Sequence, residues 1–248
     1  MRLRLRLTNQ SGKVLEMTTE KDKADVKRLF DVGAHFAQAK SRRHPSMKPF
    51  VAGVKGRQEI IDLAQTNAQI EVACSVMEAL AKDGKTVLFV GGKVEVAALV
   101  KKAALEIGAP YVATRWLGGT ISNWNEIKKR VDRLAEIREK GISGTLLKQH
   151  TKLELVRIER EKERLEQRLD GITKLTKRPD ALLVVDTKHE KHAVKEANGA
   201  GIPVIAIMNS DCNLSDSSYP IIANDASRET VKFLLGELTN AFKRGQTA

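Results

Sequence analysis

Downstream of Asn67 the apolar residues Ile70, Ala73, Cys74, Met77 and Leu80 recur three and four apart, the spacing of a helix with one buried face. Thr66 or Asn67 is placed to cap this helix and Gly84 to stop it. Thr86 to Val90 is a continuous apolar run, the pattern of a strand covered on both faces. Helical spacing returns from Val94 to Ile107, Gly108 ends it, and Tyr111 begins another strand. After Pro179 the same rhythm resumes, with a strand at Ala181 to Val185, a helix from His189 to Asn198 and a strand at Pro203 to Met208. A short strand at Tyr219 to Ile222 and an amphipathic helix from Ala226 to Phe242 follow. Alternation of this kind predicts parallel strands joined by right-handed crossovers.

Two other patterns flank this core. Upstream, Val26, Leu29 and Phe30 share one side of a helix expected from Asp22 to Val32. Gly33 ends it and opens an irregular basic segment from Lys40 to Met47, in which Pro45 and Pro49 disfavour α-helix. Phe50 to Val54 and Gln58 to Leu63 read as strands around a turn at Gly53 to Gly56. In the middle of the chain, Trp124, Ile127, Val131 and Leu134 make a narrow apolar seam with charged flanks. Leu155, Ile158, Leu165, Leu169 and Ile172 make a matching one, interrupted by Lys162. The pair predicts a protruding antiparallel coiled-coil hairpin turning between Gly141 and His150, since a lid packed flat on the core calls for a wider stripe. The expected division is a basic extension at 1–22, a discontinuous α/β domain at 23–121 and 179–242, the hairpin at 122–178, and a frayed tail at 243–248.

Charge sharpens this division. The net charge is +12, but residues 1–60 hold +8 of it and residues 122–178 hold +6, whereas 61–121 are neutral and 179–248 carry −2. Basic residues thus avoid the wound α/β core and gather where a polyanion could be held from outside. An enzyme with a small anionic substrate needs only a few local charges, so no small-molecule substrate is expected. No apolar run reaches the roughly 18 residues of a membrane helix. The start, Met1-Arg2-Leu3-Arg4-Leu5-Arg6-Leu7, reads as a basic tail or edge strand rather than an organellar signal. Cys74 and Cys212 have neither metal-ligand nor disulfide spacing and read as reduced thiols.

Three candidate chemistries present themselves. Val90-Gly91-Gly92-Lys93 before a helix resembles a nucleotide-binding turn, yet the third glycine of a dinucleotide fingerprint and the Ser/Thr of a P-loop are missing. His35, Asp186, Asp211 and Asp225 lie near predicted element ends and could converge on a crevice, but lack metal-ligand spacing. Neither a metal nor a cofactor is expected. RNA fits the residues better: Arg42, Arg43, His44, Lys48, Lys55 and Arg57 lie on one irregular path suited to phosphates. Arg115 offers a guanidinium fork beside Trp116, Gly118 and Gly119 expose amides at a helix start, and Lys128, Lys129 and Arg130 add charge beyond it. Trp116 is read as a wedge in the core more than as a base-stacking platform.

Arg115-Trp116-Leu117-Gly118-Gly119-Thr120 with Ser122-Asn123 closely resembles the signature of ribosomal protein two of the small subunit, in its bacterial form. Gly33-Ala34-His35-Phe36, Pro45-Ser46-Met47-Lys48-Pro49-Phe50, Ile60-Ile61-Asp62-Leu63, Pro179-Asp180-Ala181, Gly201-Ile202-Pro203-Val204 and Asn224-Asp225 fall in that family's order, over about Val26 to Ala241. The resemblance implies a flavodoxin-like three-layer α/β/α fold with a five-stranded parallel sheet and a projecting hairpin. It also implies a non-catalytic, cytoplasmic ribosome constituent that binds small-subunit rRNA and neighbouring proteins, and helps dock the large mRNA-binding protein one. Three departures stand out: Ala37-Gln38 replaces a family Gly-His, Arg43-His44-Pro45 stands where Trp-Asn-Pro is common, and Asp186-Thr187 replaces Asp-Pro.

Overall fold

The computed structural model describes residues 7–8, 14–15, 20–142 and 151–247. Its centre is a five-stranded sheet of β6 (Val87–Val90), β7 (Tyr111–Val112), β8 (Ala181–Val185), β9 (Val204–Met208) and β10 (Tyr219–Ile222) in the order β10-β9-β8-β6-β7. Every pairing is parallel, and every residue of β6, β8 and β9 is buried. This is the flavodoxin-like order, which reverses direction between β6 and β8.

Because side chains alternate across a strand, the continuous apolar runs serve two cores. Val87, Phe89, Leu183, Val185, Ile205 and Ile207 enter one buried cluster with α2 (Leu63–Lys82), α3 (Val94–Glu106) and α7 (Arg228–Thr247). Leu88, Val90, Leu182, Val184, Ala206 and Met208 enter the other, with α4 (Trp124–Ile142) and α6 (Lys191–Gly199). Right-handed crossovers account for the split. Building outward from β6 to β7 puts α3 on one face, and building the opposite way from β8 to β9 puts α6 on the other.

A second sheet, β3 (Phe36–Ala39), β5 (Gln58–Ile61) and β4 (Val51–Lys55), is antiparallel in the order β3-β5-β4. The β4–β5 hairpin follows the sequence expectation, but β3 does not appear in it, since Phe-Ala-Gln-Ala offers too little alternation. The basic segment is not irregular either: Lys40–Arg42 and Pro45–Phe50 form 3₁₀ turns. Pro45 occupies the first turn, where a missing N–H costs nothing. At the amino end α1 spans Glu20–Asp31, and Leu7–Thr8 (β1) pairs antiparallel with Val14–Leu15 (β2). The Arg/Leu alternation at residues 1–6 lies outside the described residues.

Two boundaries differ from expectation. Helix α2 starts at Leu63 because Asp62 caps it, accepting the Ala64 N–H at 3.1 Å. Helix α7 continues to Thr247 instead of fraying at 243, for Lys243 meets Glu106 at 2.5 Å and Gly245 is buried against Glu78 and Ala81. The largest difference concerns α4 and α5 (Lys152–Leu169). Trp124, Ile127, Val131 and Leu134 are buried in the second core, together with Leu169, Ile172 and Leu175 from the far limb, so the apolar face of α4 is packed. In α5 only Leu169 is buried. Arg133 pairs with Glu161 and Arg138 with Glu166, both 28 residues apart, and Arg138 also reaches Asp170 at 2.8 Å. Partners therefore advance together along both helices. In an antiparallel pair Arg138 would lie about 15 Å along the axis from Glu166, so these contacts do not describe the antiparallel coiled coil expected. The turn expected at 141–150 lies, from residue 143 on, outside the described residues.

The packing of α4 is testable. Leu134 is 0% exposed and Leu153, in α5, is 65% exposed. Leu134→Ala should cost about 2–5 kcal/mol in chemical denaturation, and Leu153→Ala should stay within about 0.5 kcal/mol. Equal small effects would show that the apolar face of α4 is not packed.

Candidate nucleic-acid interface

The carboxyl ends of the parallel strands form a crest of loops. Gly91-Gly92 follows β6, Thr114-Arg115 follows β7, Asp186 follows β8, Asn209-Ser210 follows β9 and Asn224-Asp225 follows β10. The basic segment is tied to this end. The His44 N–H donates to the Ser210 carbonyl at 2.9 Å, and the Leu214 N–H donates to the Ser46 hydroxyl at 3.1 Å. The His44 ring accepts the Ser46 N–H and lies 2.7 Å from the Ser46 hydroxyl, capping the second 3₁₀ turn.

Of the predicted cations on this segment, Arg42, Lys48, Lys55 and Arg57 are exposed. Among the described residues none of these four has an ion-pair partner. Arg43 differs, since its guanidinium lies 2.7 Å from Glu59, whose side chain is 0% exposed. A buried carboxylate needs that charge, so Arg43 is committed to the fold before any ligand arrives. Lys128, Lys129 and Arg130 lie on the exposed side of α4, with Lys129 paired to Glu126 at 2.6 Å.

Only two of the four strand-end candidates meet. Asp186 and Asp225 share the ammonium of Lys93, with Asp225 at 2.9 Å. Asn209 donates to the second oxygen of Asp225 at 2.9 Å. Burial by itself would push Lys93 down, but Asp225 and Asp186 hold it above its ordinary value. Burial raises Asp186 too, yet the Lys93 ammonium and the Lys188 and His189 N–H groups bring it below the usual carboxylate range. Asp225 is pushed up, by burial foremost, with Asp186 beside it. Asp186 has φ +66°, a left-handed backbone that Asp tolerates better than most residues. Asp211 instead pairs with Lys188 at 2.8 Å, and His35 stacks between Phe30 and Phe36 at 4.3 and 4.0 Å. The crevice that could have held a cation holds the chain's own ammonium. Lys93 was legible only as the lysine of an incomplete P-loop.

The double glycine behaves similarly. Its loop is an anion nest, and the anion is Glu196 of α6. One carboxylate oxygen accepts the Gly119 N–H at 2.8 Å and the Trp116 indole N–H at 3.1 Å. The other accepts the Ile121 N–H at 3.0 Å, the Ser122 N–H at 3.2 Å and the Ser122 hydroxyl at 3.2 Å. Gly119 has φ +93°, which an L side chain would strain. Trp116 is 7% exposed and belongs to the second core, so it is the wedge expected. Gly92 is needed for close approach, as a Cβ there would lie 2.6 Å from the Thr114 carbonyl. No sequence signal marked Glu196, whose neighbours read as an ordinary charged helix face. Arg115 lies exposed beside the loop, on a cleft also lined by Arg178, Lys195, His189 and His192.

A sheet of flavodoxin-like order whose crevice holds an internal ammonium, and whose glycine loop is filled by an internal carboxylate, is a cation-fringed α/β scaffold. Residues 29–245 match the family described as Ribosomal protein S2, and the chain belongs to that family. It is 38% identical to small ribosomal subunit protein uS2c of Rhodomonas salina over 217 residues, covering 88% of this chain and 89% of that one. With small ribosomal subunit protein uS2 of Acidothermus cellulolyticus the identity is 39% over 90% of this chain and 81% of the relative. With uS2 of Kocuria rhizophila it is 37% over 89% and 77%.

The internal ion contacts are open to mutation. Arg43→Ala leaves Glu59 buried without its counter-charge and should cost about 3–5 kcal/mol, with part of the loss recovered in Arg43→Ala/Glu59→Gln. A folded single variant of wild-type stability would show that Arg43 is free for a ligand. Burial tends to raise the Glu196 carboxyl, but the Gly119, Trp116, Ile121 and Ser122 donors outweigh it and hold the group below its ordinary value. Its stabilisation is therefore complete above the unfolded-state pKa and disappears as pH falls through the folded one. The stability gap between wild type and Glu196→Gln should stay constant above about pH 5 and shrink below it. Urea midpoints measured across pH test this, and a gap independent of pH would remove Glu196 from the acid limb.

Proposed function

We propose that the protein is a non-catalytic, structural constituent of the small ribosomal subunit, ribosome-associated in the cytoplasm. It binds small-subunit rRNA and neighbouring ribosomal proteins, among them the large mRNA-binding protein one. Membership of the ribosomal protein S2 family carries this reading, and the similar proteins from Rhodomonas, Acidothermus and Kocuria are all small-subunit proteins by name. The placement of charge supports the mode of binding. Exposed Arg42, Lys48, Lys55 and Arg57 lie on 3₁₀ turns and a hairpin anchored to the crest, where a defined backbone presents them to phosphates. Arg115 and the exposed face of α4, with Lys128 and Arg130, extend the basic surface, and Gly118 leaves room for close backbone approach. Gly119 and His44 shape this surface, and Arg43 holds it in place. No described helix is long and apolar enough to cross a membrane.

Alanine at Arg42, Lys48 and Arg57 together should leave the fold intact and weaken binding to a small-subunit rRNA transcript. The log–log salt slope should fall by about 0.7–0.9 for each phosphate that is no longer engaged. An unchanged slope would take these cations out of the interface. If the native protein never co-sediments with small subunits on sucrose gradients, the ribosomal reading itself fails.

A further inference from the structure

Some cations of this molecule are paired locally, as in Lys243–Glu106, Arg138–Asp170 and Lys188–Asp211. The cleft beside the Trp116 loop gathers others. Arg115, Arg178 and Lys195 line it with His189 and His192, and among the described residues none of the three permanent cations has an ion-pair partner. They come from three separate segments: the connection after β7, the approach to β8, and α6. Its two carboxylates lower the net positive charge but pair with none of the three cations. Glu190 is turned to the Gly92 N–H at 2.9 Å and the His189 ring at 2.8 Å, and Glu196 is saturated by the loop. The cleft, of about 1070 Å³, runs from Gly92 and Glu190, in the loops that follow β6 and β8, along α6 to Gly199 and Ala200, with Arg178 ahead of β8. Its Gly92–Glu190 end lies where the sheet order reverses, the place at which open parallel sheets leave a crevice for ligands.

We infer that this cleft seats one phosphodiester of the bound RNA, held by Arg115, Arg178 and Lys195. The inference rests on the rRNA-binding reading above and adds Arg178 and Lys195 to its contacts. The choice of a diester over a free nucleotide follows from which donors remain. The Gly92 and Gly119 amides, which a terminal phosphate or pyrophosphate would draw on, are already taken by Glu190 and Glu196. What remains is a set of side-chain cations, suited to a singly charged backbone phosphate on a larger ligand.

The test uses the full chain and a small-subunit rRNA transcript, with binding measured over a range of KCl concentrations. Arg178→Ala/Lys195→Ala, checked for wild-type circular dichroism, should lower the log–log salt slope by about 0.7–0.9, one phosphate's worth. Arg178→Lys/Lys195→Arg should restore it. RNA should also protect Lys195 of the unmodified chain from acetylation, a readout independent of any variant's folding. An unchanged slope with Lys195 unprotected overturns the inference and leaves the ribosomal reading standing, whereas absence of salt-dependent binding by the wild type removes both. Adenosine monophosphate or inorganic phosphate at millimolar concentration should not change tryptophan fluorescence. Saturable quenching by either, abolished in the double alanine variant, would make the cleft a free-anion site and overturn the diester assignment.

Discussion

The carboxylate of Glu196 accepts from the Trp116 indole, the Ser122 hydroxyl and three loop amides, and the arrangement of the second face depends on it. A backbone turned by two glycines presents N–H groups that cannot all be satisfied within the loop, and burying them unpaired would be costly. Glu196 satisfies them from α6, so one contact joins the β7–α4 connection to the β8–β9 crossover. Trp116 is thereby held in the core, where Trp124, Ile127, Val131 and Leu134 join it, and Arg115 is left at the edge of the cleft.

Lys93 does the corresponding work at the crest. In a parallel sheet the loops after successive strands bring acceptors together, and Asp186 and Asp225 meet there as two carboxylates in a largely dry place. One ammonium between them, with Asn209 completing Asp225, makes the cluster self-contained. The two positions at which this fold class usually offers amides or charge to a cofactor are thus closed by the chain itself. Among the described residues, cations without an ion-pair partner lie outward, along residues 42–57, beside α4, on α3 and α5, and around the cleft. That division between an internally neutralised body and an uncompensated rim is the electrostatic form of a protein that holds a polyanion from outside.

Much of this was legible in residue order. The apolar runs at 87–90, 181–185 and 204–208 could only be strands covered twice, and the structure buries all of them. The β4–β5 hairpin and the family signature around Arg115 were equally plain. The misreadings share a cause. A stripe such as Trp124, Ile127, Val131, Leu134 states that a helix has an apolar face but not what covers it, and the ion pairs that join α4 to α5 in a sense other than antiparallel leave no trace in it. Arg43 and Arg42 are adjacent and alike in sequence, yet one is bound to a buried carboxylate 16 residues away and the other is open.

By itself, then, the sequence determined the class of fold, the family and the separation of neutral core from basic periphery, because periodicity and composition act over a few residues and survive in any arrangement. The tertiary structure alone decided which charges are used inside. Glu196 lies 77 residues from Gly119, and Lys93 lies 132 from Asp225. At such separations the chain's local pattern carries no record of a partner, and only closure of the sheet brings the ions together.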